Sequence, residues 1–151
     1  MWRIDRHLSW PYARSECKRA RYALFPEPRT VRADLASIHN LQEFSTAILL
    51  ERTRPPITRG SYYRSTWVGL KATSSSWTWS DATEFDYDKF YTGENPPPSG
   101  YANTCAGLLR MRYSNGDYYD DAEDPGFAFY GDKKSCTDNK WPAICKGSLQ
   151  D

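Results

Sequence analysis

The sequence predicts an α+β fold, with two helices packed on short antiparallel sheets and a long irregular loop region. Two stretches within the first fifty residues place apolar side chains at helical spacing, and the remainder holds short aromatic and β-branched runs separated by turn residues. Between residues 81 and 104 there is little regular pattern. Helices first and strands afterwards is the order of an α+β chain, not of alternating βαβ units.

The first helix begins at Trp10, with Ser9 at the cap position and Pro11 tolerated in the first turn. Trp10, Ala13, Cys17 and Ala20 recur at helical spacing and form its inner stripe, so Cys17 points inward. Arg14, Lys18, Arg19 and Arg21 lie off that stripe and give a basic outer face. FPEPRT at 25–30 is a proline-marked loop, and DLASIHN at 34–40 leads to the second helix. Asn40 with Glu43 three residues on has the layout of a capping box, and Leu41, Phe44, Ala47 and Ile48 supply one apolar face. Pro55 and Pro56 cannot continue this helix. STWVGL at 65–70, SWTWS at 76–80, GLLRMRY at 107–113, FAFY at 127–130 and WPAIC at 141–145 then read as short strands.

A stiff segment interrupts that series. In TGENPPPSGYANTC, residues 92–105, Pro96, Pro97 and Pro98 each hold φ near about −65° and lack a backbone donor, which excludes them from helix interiors and central strands. A rigid loop carrying carboxylate and amide side chains suits a binding site, because unstructured stretches of this length are uncommon unless they bind something.

Composition bounds the rest. The 151 residues fit one domain, 1–151, with 39% hydrophobic and 26% charged residues, the balance of a soluble folded chain. The aromatic share is 15%, with eleven Tyr and six Trp, and aromatics that reach the surface make contacts for sugars or protein partners. The net charge of +1 conceals an asymmetry: residues 1–71 hold 13 Lys and Arg against 6 Asp and Glu, whereas residues 72–151 hold 7 against 13. The acidic half is the better home for a cation and the basic half the better contact for anionic partners such as sulfated polysaccharide; no nucleic-acid partner is expected. No run is long and apolar enough to span a bilayer, and charges at Arg3, Asp5 and Arg6 interrupt any secretory apolar region after Met1, so a mature or trimmed domain is expected. The four cysteines, Cys17, Cys105, Cys136 and Cys145, occur in no CxxC and permit three pairings; an even count at wide spacing predicts two disulfides and an oxidising compartment.

LSWPYARSEC, DLASIHN, STWVGL, WTWSDATEFDY and WPAICK, taken in this order along nearly the whole chain, resemble the C-type lectin-like domain. The resemblance implies that Cys17 pairs with Cys145 and Cys105 with Cys136, closures that by loop entropy would stabilise by about 3–5 kcal/mol each. It also implies a site. Sugar-binding members carry Glu-Pro-Asn or Gln-Pro-Asp in the long loop and Trp-Asn-Asp before the third cysteine, and these oxygens hold Ca²⁺ while sugar hydroxyls complete its shell. This sequence departs from both patterns, with Glu94-Asn95-Pro96 in the loop and Tyr130-Gly131-Asp132 upstream of Cys136. Glu94, Asn95, Asn103 and Asp132 remain as candidate oxygen donors for Ca²⁺ or for sugar hydroxyls, and Tyr101, Tyr113, Tyr118, Tyr119 and Tyr130 as aromatic contacts to a sugar face.

An acidic insertion with Asp117, Asp120, Asp121, Glu123 and Asp124 reads as a solvated hairpin tip turned at Asn115-Gly116, or as a displaced cation site; it lacks the Gly and terminal Glu of an EF-hand loop. The expected function is that of a secreted carbohydrate-binding lectin domain, Ca²⁺-dependent or metal-free, and the alternative is a protein-binding module of the same fold without sugar recognition. A homodimer would add avidity. An enzyme is not expected: no GxSxG, HExxH or Gly-rich phosphate loop occurs, and of the two histidines His7 lies near the terminus while His39 sits in SIHN as a structural residue.

Overall fold

The structure, a computed structural model, describes residues 1–52, 63–73, 76–87, 104–111, 127–131, 135–138 and 140–149. The elements in order are β1 (Trp2–Leu8), α1 (Trp10–Leu24), a 3-10 turn (Pro28–Thr30), β2 (Val31–Leu35), α2 (Leu41–Arg52), β3 (Tyr63–Ala72), β4 (Trp77–Trp79), β5 (Cys105–Met111), β6 (Phe127–Gly131), α3 (Ser135–Asp138) and β7 (Trp141–Leu149). The α+β class and both long helices match the sequence reading, and its five strands overlap β3 to β7, although the expected 76–80 strand shortens to 77–79 and residues 112–113 of the expected 107–113 strand lie outside the described residues. The order of helices and strands does not match, because β1 and β2 are interleaved with α1 and α2 and a third, short helix precedes β7.

β7 explains the two additional strands. Its first half pairs antiparallel with β1, Trp2 opposite Cys145 and Ile4 opposite Ala143. Its second half pairs antiparallel with β2, from Leu35 opposite Cys145 to Val31 opposite Leu149. In β2, Val31, Ala33 and Leu35 are buried and Arg32 is exposed, but the alternation stops at Asp34, which is buried as well. The sheet runs β1-β7-β3-β5-β6, with β2 joined to β7 and β4 to β3. It is antiparallel except for one parallel bridge, Trp67 to Ala143.

The WVGL stretch sits at the centre of this sheet and serves both faces. Trp67 packs with Trp10, Ala13 and Cys17 of α1, its indole N–H donates to the Leu8 carbonyl at 2.7 Å, and its ring lies 4.0 Å from that of Trp141. Val68 and Leu70 turn the other way, onto Phe44, Ala47 and Ile48 of α2. Burying each such side chain contributes about 1.5–3 kcal/mol. Gly69 is required between them because a Cβ there would lie 2.6 Å from Ser80 Oγ and 3.0 Å from the Leu35 carbonyl oxygen. Its N–H donates to Ala36 O at 2.9 Å and its carbonyl accepts from Ser80 N–H at 2.7 Å, so β3 is joined here to the segments flanking β2 and β4.

Three local expectations need correcting. Ser9 occupies the α1 cap position, but its hydroxyl makes no capping bond. Arg14 does not belong to a solvated outer face: its guanidinium holds the buried Asp34 carboxylate through Nε at 3.0 Å and Nη2 at 3.1 Å. Leu41 is 42% exposed and stays out of the α2 core face, although Phe44 in the same turn is fully buried. The Asn40 cap is present, with Glu43 N–H donating to Asn40 Oδ1 at 2.9 Å. No helix among the described residues is long and apolar enough to cross a membrane.

Candidate functional site

The chain leaves β4 through residues 80–87 toward the proline-rich segment and returns through Thr104 into β5. The outgoing limb is held by polar side chains. Asp81 accepts from Ser37 Oγ at 2.5 Å, and from the Thr83 hydroxyl at 2.5 Å and N–H at 3.1 Å. Lys146 of β7 donates to the Ser37 carbonyl at 3.2 Å and pairs with Glu43 of α2 at 2.5 Å. Five residues on, Asp86 pairs with His39 Nδ1 at 2.7 Å, and the His39 ring meets Trp79 edge-on at 6.0 Å. Phe85 lies against Trp79 and Tyr87 against Phe44, which fastens the limb to the core beneath it.

The electrostatics follow from these contacts. Burial pushes the Asp81 carboxyl up, but the Ser37 and Thr83 hydrogen bonds and the Lys146 charge together outweigh it and hold it below the usual carboxylate value. The hydrogen bond from His39 does the same for Asp86, which is exposed. Ala82, between these anchors, adopts φ 65°, a left-handed conformation that costs a non-glycine residue about 1–2 kcal/mol. Asp34, Glu43, Asp81 and Asp86 thus each engage a protein donor. Among the described residues no three His, Cys, Asp or Glu side chains gather as a metal would need.

The returning limb is held by backbone and sulfur. Thr104 is fully buried and its carbonyl accepts from Ala72 N–H at 2.8 Å. Cys105 stands opposite Lys71 at the start of β5 and is bonded to Cys136 of α3, across 31 residues. Cys17 of α1 is bonded to Cys145 of β7, across 128 residues. Both bridges are those that the family resemblance implies, and the described residues include no free cysteine.

Glu94, Asn95, Asn103, Asp132, Tyr101, Tyr113, Tyr118 and Tyr119 lie outside the described residues, as do the acidic positions 117–124 and Pro55 and Pro56. The backbone of Tyr130 lies on β6 opposite Gly107. What the structure adds is the anchoring of the flanking residues 80–87 and 104–105. Sequence reasoning passed over Ser37, Asp81, Thr83 and Lys146 as a unit; the Asp in WTWSDAT, read only as part of a motif, was the available signal. Glu43, read as half of a capping box, directs its carboxylate to Lys146 instead.

The Lectin C-type domain family matches residues 6–147. Together with the two bridges and the sheet, this match places the chain in the C-type lectin domain family, a family of binding domains and not of enzymes. Similar solved structures include the C-type lectin CEL-I from Cucumaria echinata, with TM-score 0.65 and 16% identity over 98% of this chain and 89% of that one. SPL-1 in its GlcNAc complex has TM-score 0.61 and 14% identity over 96% and 84% of the two chains. The Ca²⁺-independent C-type lectin SPL-2 from Saxidomus purpuratus has TM-score 0.59 and 13% identity over 98% and 83%. At these identities the likeness is one of fold. No curated protein matches the chain by sequence.

Proposed function

We propose that residues 1–151 form a single secreted lectin domain that binds glycans on the surface carried by segments 92–104 and 113–132. The observation that carries this reading is the family match over 6–147. In it, Glu94, Asn95, Asn103 and Asp132 bond sugar hydroxyls directly or through Ca²⁺, and Tyr101, Tyr113, Tyr118, Tyr119 and Tyr130 stack on a sugar face. The four donors are carboxylates and amides, an oxygen-only set suited to a hard cation, and backbone and water oxygens would complete its shell of about 6–8. The metal-free form draws support from Asp81 and Asp86 of the outgoing limb, whose carboxylates are engaged by protein donors. A GlcNAc complex of SPL-1 and the Ca²⁺ independence of SPL-2 are facts about those proteins that agree with both forms. Two disulfides support secretion, and pairing into a homodimer would raise avidity.

The test is a glycan array probed with the purified protein in CaCl₂ and, in parallel, in EDTA. Binding lost in EDTA assigns Ca²⁺ to the four oxygen donors, and binding that persists assigns direct recognition. Silence on both arrays rejects the lectin reading. The second reading, a protein-binding module, is favoured by one observation, the altered Glu94-Asn95-Pro96 and Tyr130-Gly131-Asp132 stretches, and silent arrays with capture of an extracellular protein partner would establish it.

A further inference from the structure

The solvent face of α1 contains none of the candidate loop positions, yet it has a marked chemical character. The helix is 15 residues long and buries Trp10, Ala13 and Cys17 on one side. On the other side Tyr12, Ser15, Lys18, Arg19 and Tyr22 fall three or four residues apart on successive turns, and all are exposed. Tyr12 is 69% and Tyr22 64% exposed, and the Arg19 side chain 77%. The one carboxylate of the helix, Glu16, is neutralised between Arg6 at 2.7 Å and Arg19 at 3.1 Å. At the far end Arg21 donates to the Val31 carbonyl at 3.4 Å, which fastens the last turn of α1 to the start of β2, where Arg32 is exposed; Arg29 is exposed in the preceding turn. From residue 17 to residue 33 the chain carries five Lys and Arg against one acid, Glu27.

We propose that this face binds a sulfated polysaccharide, through residues other than the candidate loop positions. Lys18 and Arg19 on the helix, with the exposed Arg29 and Arg32 beyond its last turn, form a cationic patch that matches the repeating anions of a linear polymer, and each cation that meets an anion releases a condensed counterion. The guanidinium fork of Arg19 suits sulfate oxygens as it suits phosphate. Tyr12 and Tyr22, exposed aromatic rings on either side of the cations, offer stacking surfaces for sugar rings between the sulfates, Tyr22 on the face opposite the Arg21 guanidinium that lies 4.8 Å from its ring. The Cys17–Cys145 bridge anchors this helix to β7 and points to an oxidising compartment, where sulfated glycans rather than nucleic acids are the polyanions available.

The test measures binding to immobilised heparin over a NaCl series, with EDTA present throughout so that any Ca²⁺-dependent lectin activity is off. Two variants are compared: Lys18→Gln with Arg19→Gln, and Lys140→Glu, an exposed lysine remote in sequence. Each lowers the net charge by two. The double variant is expected to bind about tenfold more weakly near physiological salt and to flatten the slope of log K against log salt by about two, because each lost cation releases one counterion fewer. Lys140→Glu is expected to stay within about twofold. Desulfated heparin is expected not to bind, and neutral sugars not to compete. The proposal is overturned if wild type does not bind heparin, if both variants lose affinity equally, if desulfated heparin binds as well as heparin, or if vesicles of phosphatidylcholine and phosphatidylserine bind wild type while heparin does not. Because EDTA is present throughout, and competition by neutral sugars would overturn the proposal while leaving the glycan arrays unaffected, its failure and that of the lectin reading are distinguishable.

Discussion

Toward residue 88 the chain is held by hydrogen bonds and ion pairs, Asp81 on Ser37 and Thr83 and Asp86 on His39, whereas at Thr104 and Cys105 it is held by strand pairing and a disulfide. Both limbs bracket the same proline-rich segment. The first arrangement depends on protonation and on individual side chains; the second is indifferent to acid and depends on oxidation. The described ends of the segment are thus fixed by two independent means, side-chain bonds on one side and strand pairing with a disulfide on the other.

Substitutions and conditions that act on one limb and spare the other separate the two. The largest effect is expected from removing the covalent anchor: Cys105→Ala with Cys136→Ala should lower unfolding free energy by about 3–4 kcal/mol in urea denaturation, the loop-entropy value for a closure of this length. A loss below about 1 kcal/mol would mean that strand pairing alone holds the returning limb. Next is Gly107→Ala on β5, whose Cβ would sit 2.7 Å from the Thr66 carbonyl oxygen and 2.9 Å from the Trp141 ring; overpacking of this kind should cost about 2–3 kcal/mol, and a neutral result would refute that close approach.

On the outgoing limb, Asp81→Asn is expected to cost about 1–2 kcal/mol, since the Ser37 and Thr83 donors then meet a weaker acceptor. The pH dependence has a defined sign. The folded-state value of Asp81 lies below its unfolded value, so its contribution is fully present above the ordinary carboxylate range and is lost as pH falls from about 4 through the lowered folded value. Wild type should therefore lose more stability than Asp81→Asn between neutral pH and acid, and parallel pH profiles would contradict the assignment. The smallest effect is expected at Ala82, where glycine relieves the left-handed φ of 65° and should raise stability by a few tenths to about 1 kcal/mol in thermal unfolding. A loss on that substitution would show that the Ala82 methyl contributes packing.

Much of the frame was legible because it rests on patterns of the chain itself. Trp10, Ala13 and Cys17 repeat at helical spacing, Asn40 caps, and WVGL alternates its side chains between two cores. β1 and β2 escaped because their pairing partner, β7, is more than a hundred residues away, and because WRIDRHL and VRADL carry charges that mask the alternation of Trp2 with Ile4 and of Val31, Ala33 and Leu35. The partners of Arg14, Glu43 and Asp81 escaped for a related reason: each bond joins segments distant in sequence, so composition and spacing reveal the residue but not what it holds. The candidate sugar-binding positions, Glu94, Asn95, Asn103 and Asp132, were legible only through the family resemblance.

The most direct test of glycan recognition by this surface is isothermal titration of a glycan identified on the array into wild type and into Glu94→Ala with Asn95→Ala. Loss of binding with an unchanged melting temperature is the result that the proposed glycan site predicts. Undiminished binding by the double variant would contradict the placement of the site in the 92–104 segment.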